Sequence, residues 1–119
     1  MRHSYAHDAT LIMLPDGDVR APGAAITVAL CGHWEHQPPC PLAAHHTRAD
    51  RVGDEVRLRI LFAAAPADEP VVRERINLAL AAGVLAGPDG VTTRWQLAYS
   101  GRADVDPAET SHAERLTRG

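Results

Sequence analysis

Between positions 56 and 62 the chain alternates without a break: Val56, Leu58, Ile60 and Phe62 fall on one side, Arg57 and Arg59 on the other. Successive side chains of an extended chain point to opposite faces, so this segment reads as a strand with one apolar face to bury. It therefore needs neighbouring strands and a cover, and the rest of the chain has to supply them.

A second strand is expected over 9–14, closed by the turn Pro15-Asp16-Gly17-Asp18, with a weak return over 19–25 interrupted by Pro22-Gly23. Residues 26–34 read as a further strand, with Ile26, Val28, Leu30 and Trp34 on one face and Thr27, Ala29, Cys31 and His33 on the other. The last strand is expected over 91–99, launched by Gly87-Pro88-Asp89-Gly90, with Val91, Thr93, Trp95, Leu97 and Tyr99 sharing a face as core rather than as a stacking platform.

The cover is a helix over 69–82: Asp68 stands at the N-cap, Pro70 in the first turn and Gly83 at the stop, while Val72, Ile76, Ala79 and Leu80 recur at helical spacing. Residues 1–8, 35–50 and 101–119 lack such patterning and read as a loose arm, a loop and a polar tail. Asp106-Pro107 can cap a short helix over 108–116, but Leu116 is all that would hold it down. The expected fold is a single α+β domain spanning 1–119: a small, mostly antiparallel sheet with one helix packed on its face.

With 119 residues there is room for one modest core, and aromatic residues make up only 4%, so that core must be aliphatic and alanine-rich. A net charge of −3 gives no basic field for nucleic acid or anionic lipid. No apolar stretch approaches a spanning helix or a secretory h-region, which leaves a cytoplasmic protein as the expectation. Short strands leave sheet edges to cover, and a homodimer is the simplest cover.

Both cysteines and four of the seven histidines fall between positions 31 and 46. In a reducing compartment Cys31 and Cys40 are thiols or metal ligands before they are a disulfide, although a Cys31–Cys40 bridge is sterically allowed. Thiolate sulfur and imidazole nitrogen in fours are the ligands of tetrahedral zinc. The favoured set is Cys31, His33, Cys40 and His45, with His36 able to replace His33 and His46 able to replace His45. Cys31 and His33, two apart on a strand, project to one side, and Pro38-Pro39 returns the chain so that Cys40 can join them.

The spacing is not that of a zinc finger, ribbon or knuckle. His33-Trp34-Glu35 and Pro39-Cys40 resemble the pieces of a zinc deaminase but lie too close together, and position 43 is Ala where that motif needs Cys. Blue copper fails because both Met residues precede the cluster, and iron–sulfur fails for want of four cysteines.

Three functions compete. A closed site of four protein ligands makes a structural or regulatory zinc protein; three ligands plus water, with Glu35 as general base, make a small hydrolase. A metal-free module that self-associates through an edge strand or an arginine face is the third. Arg57 and Arg59, with Arg48 and Arg51, read as a solvated face balanced by Asp50, Asp54 and Glu55.

Overall fold

The alternation at 56–62 becomes the third of six strands in the computed structural model, which describes residues 2–31, 43–87 and 90–118. In chain order the elements are β1 (His3–Ile12), α1 (Ala21–Cys31), β2 (Ala44–Val52), β3 (Glu55–Ala64), α2 (Glu69–Ala82), β4 (Val84–Ala86), β5 (Thr92–Arg94), β6 (Gln96–Ala103) and α3 (Thr110–Arg118). Four strands form one antiparallel sheet in the order β2-β3-β1-β6, and β4 pairs with β5 separately. The α+β class and the mostly antiparallel sheet are as expected.

β1 and β2 are both antiparallel to β3, which lies between them, so α1 bridges two parallel strands. α2 bridges β3 and β6 in the same way across β1. This is the connectivity of a split βαβ unit, on which many unrelated functions are built.

The faces of the sheet follow the alternation. Leu11, Val56, Leu58, Ile60 and Phe62 meet Ile26 and Leu30 of α1 and Val72, Ile76 and Leu80 of α2 in one buried cluster. At ~25 cal/mol per Å2 of apolar surface, a fully buried side chain of this size contributes about 1.5–3 kcal/mol, so this cluster dominates the stability of the domain.

Residues 21–31 are helical, which overturns the weak strand expected over 19–25 and, as far as Cys31, the strand expected over 26–34, whose last three residues lie outside the described residues. The β-branched run Ile26-Thr27-Val28 imitates a strand pattern. What decides is burial: Ala21, Ala25, Ile26 and Leu30 are all buried, at separations that fit a helix face. Pro22 sits in the first turn, where its missing N–H costs nothing.

The expected 35–50 loop gives way to β2 from Ala44 onward. This strand is polar, with His46, Arg48, Asp50 and Val52 exposed in alternation with half-buried His45, Thr47, Ala49 and Arg51. The expected N-terminal arm is instead the start of β1, held between β3 and β6. The 91–99 strand is broken in two at Trp95, whose indole N–H donates to the Leu80 carbonyl at 2.8 Å and whose backbone N–H donates to Gly83 at 2.9 Å. Gly83 ends α2 with φ +70°, and a Cβ there would lie 2.6 Å from the Trp95 carbonyl oxygen. Past Leu97 a bulge leaves Ala98 between two ladder pairs (Leu11 with Leu97, Thr10 with Tyr99). Leu97 therefore turns toward the core, and Tyr99 is displaced to the opposite face and exposed.

The expected C-terminal tail is a docked helix. α3 lies on the second face of the sheet, where Ala6, Leu61, Ala63 and Ala113 are buried. Small side chains let the backbone approach closely, and one ion cluster fixes the approach. Arg59 of β3 donates to Glu109 at 2.6 and 3.1 Å and to Asp8 at 3.0 Å. Glu109 also closes a capping box by accepting the Asp106 backbone N–H at 3.0 Å. These hydrogen bonds, with Arg59 first, hold the Glu109 carboxyl down at about 2.

Glu109→Gln keeps the shape and removes the charge, so it should weaken α3 docking by about 1.5–3 kcal/mol. Hydrogen exchange should then accelerate in residues 108–118 while β3 amides keep their protection. Equal exchange in the two proteins would show that the ion cluster does not hold α3.

Candidate functional site

The metal reading converges on the junction where α1 ends and β2 begins. Cys31 closes α1, and Thr27 lies one turn before it, so positions 27 and 31 share a face of the helix. His45, the second residue of β2, presents Nε2 to the Thr27 hydroxyl at 3.0 Å and Nδ1 to the Ala43 carbonyl at 3.1 Å.

A carbonyl only accepts, so Nδ1 carries a proton and the neutral ring keeps its lone pair on Nε2. A backbone carbonyl on the far nitrogen is also the support that metal-bound histidines use. A metal at Nε2 has to displace the Thr27 hydroxyl, whose single proton can then turn to the Gly23 carbonyl, 3.2 Å away. A cavity of about 410 Å3 opens beside this junction, lined by Gly23, Thr27, His45 and Thr47 among others. The Thr47 hydroxyl is buried there without a hydrogen-bond partner among the described residues.

His33 and Cys40, with the alternative ligand His36 and the alternative base Glu35, lie outside the described residues. The ranking of His33 over His36 requires a strand through Cys31. Cys31 ends α1 rather than lying in a strand, and both His33 and His36 lie outside the described residues. His46, the alternative to His45, faces the other side of the sheet, where its ring meets that of His112 at 4.7 Å. Burial, then His112 and Arg48, lower its pKa from the ordinary value. His46 and His45 alternate along β2, so one metal cannot take both rings from the same face. Among the described residues no three His, Cys, Asp or Glu side chains converge as a metal site requires.

The arginines divide. Arg48 pairs with Asp50 and Arg57 with Glu55 on the surface, as expected of a solvated face. Arg51 instead donates to the carbonyls of Met13, Leu14, Gly17 and Gly53, tying two turns together. Arg59 is the α3 anchor rather than part of an open basic face.

Sequence reasoning missed one polar constellation entirely. His7, buried in β1, takes a hydrogen bond from Arg73 of α2 on Nδ1 at 2.9 Å and contacts Ser100 of β6 through Nε2 at 2.8 Å. Arg73 also donates to the Ala6 carbonyl and to Glu69, and lies over the Tyr5 and Phe62 rings. Because the guanidinium must donate, Nδ1 bears the lone pair and Nε2 the proton. His7 therefore donates to Ser100, which in turn donates to Asn77.

A serine and a histidine at this distance invite a nucleophile–base reading, but the polarity is reversed. Nε2 has no lone pair with which to take the serine proton, so the chain is structural. Its members lie in β1, α2 and β6, too far apart in sequence for any motif to mark them.

Burial, reinforced by Arg73, lowers the His7 pKa to about 4. The unfolded chain, with an ordinary histidine near ~6.5, binds a proton that the folded chain refuses. The stabilisation is complete above ~6.5 and lost as pH falls toward 4, by up to about 3 kcal/mol. In His7→Gln, the amide oxygen accepts from Arg73 and the amide N–H donates to Ser100. The decline in urea midpoint between those pH values should therefore be shallower than in the parent. Parallel curves would mean that His7 does not carry the acid sensitivity.

Compared with known proteins, the chain matches no family model, no curated protein and no solved structure.

Proposed function

We propose that this chain is a small metal-binding protein of structural or regulatory role, with one zinc held where α1 gives way to β2. The ligands are Cys31, His33, Cys40 and His45, with His36 able to replace His33. The observation that carries the reading is the setting of His45. Its Nδ1–H is fixed on the Ala43 carbonyl, and its Nε2 is aimed at the face of α1 on which Cys31 lies one turn beyond Thr27.

Four protein ligands complete a tetrahedron and leave no position for substrate, so the metal would add stability rather than catalysis. Its role would be to join the end of α1 to the start of β2. Two thiolate ligands also presuppose a reducing compartment, in keeping with a cytoplasmic location. Among the described residues no helix is long and apolar enough to cross a membrane.

Protein purified without an affinity tag should carry one zinc per chain by elemental analysis. Loading the apoprotein in a reducing buffer should release protons and raise the thermal midpoint, and affinity should fall as pH drops through the histidine range. Cys40→Ser and His45→Ala should each lose the metal, because a hydroxyl or a methyl cannot replace those donors. His46→Ala and His112→Ala, on the other face of the sheet, should keep it. Comparing His33→Ala with His36→Ala identifies the fourth ligand. Metal-free protein whose midpoint ignores added zinc would end the proposal and leave His45 as a pin between α1 and β2.

A further inference from the structure

The two edges of the sheet are not alike. β6 is interrupted by its bulge at Ala98. β2 keeps an unbroken register with β3 from Ala44 to Val52, contains neither Pro nor Gly, and pairs on one side only among the described residues. A long regular edge strand offers unpaired backbone donors and acceptors, which another strand can satisfy.

We infer that the occupant is β2 of a second copy, antiparallel about a twofold axis through Ala49. The charge pattern selects both the partner and the register. A twofold perpendicular to the sheet keeps each residue on its own face, so the possible centres move along β2 one residue at a time. Centred on Arg48, the pairing sets arginine against arginine; centred on Asp50, it sets aspartate against aspartate. Centred on Ala49, it sets Arg48 of each copy opposite Asp50 of the other, twice, with the small Ala49 side chains meeting on the axis.

Arg48 and Asp50 already pair within the strand at 3.4 Å, with side chains 63% and 62% exposed. So open a pair is readily exchanged for a partner across the edge. The pairing would extend the sheet from four strands to eight. It needs no metal and does not rest on the zinc reading.

The test is sedimentation equilibrium in the presence of a chelator, which removes any metal bridge. The parent should dimerise. Arg48→Asp and Asp50→Arg should each raise the dimer Kd by at least ~10-fold through like-charge opposition. An equimolar mixture of the two should recover association, since the two acidic side chains of one copy then face the two arginines of the other. The double variant Arg48→Asp with Asp50→Arg should dimerise as the parent does, which separates a lost interface from a lost fold. A parent that stays monomeric, single variants that associate like the parent, or a mixture that stays monomeric would each overturn the inference.

Discussion

β1 and β3 are interior strands, and each of their faces has to be covered by something. That constraint sets most of the architecture. One face meets α1 and α2 through large aliphatic side chains, and the other meets α3 through alanines. The two covers rest on different physics. The aliphatic side gains free energy in proportion to the apolar area it removes from water. The alanine side has little such area to offer, so its cohesion falls to Arg59 and the oxygens gathered around it. A guanidinium can serve this way because its planar fork satisfies two carboxylates at once.

Elements were legible in the sequence where local pattern and tertiary demand agreed. β3 alternates because one face is core, and α2 is bounded by Pro70 and Gly83, which stand at its two ends. The failures have separate causes. α1 carries β-branched residues that prefer strands, and its packing overrides them. β2 shows no apolar stripe because its exposed positions are His46, Arg48, Asp50 and the single apolar Val52, and its inner ones are small or polar. The helix of α3 was legible in its Asp106-Pro107 start, but its docking was not, since that depends on Glu109 meeting Arg59, fifty positions earlier. A single bulge at Ala98 reversed the facing of Tyr99, and no count of alternating residues could have revealed it.

The candidate metal site was legible as a composition but not as a geometry. Cys31 and His45 emerge on neighbouring elements with the His45 tautomer suited to ligation, which the spacing alone did not require. The ranking of His33 over His36 starts from a strand through Cys31, which instead ends α1, and both histidines lie outside the described residues. The buried His7–Arg73 pair shows the complementary lesson. Hydrogen-bond direction, rather than residue identity, decides whether a serine and a histidine can do chemistry.

The position of β1 also has a consequence in time. A ribosome makes β1 before either of its sheet partners, β3 and β6. While β3 is being synthesised, β1 has neither neighbour; once β3 emerges, β1 still presents a bare edge until residues 96–103 follow. Loop closure over such separations slows folding, and an unpaired strand can find the wrong partner meanwhile. His3, His7 and Asp8 break up the apolar character of β1 throughout that interval. His7 and Asp8, which end in a buried network and at a helix anchor, are thus also polar interruptions in a strand that waits for its partners.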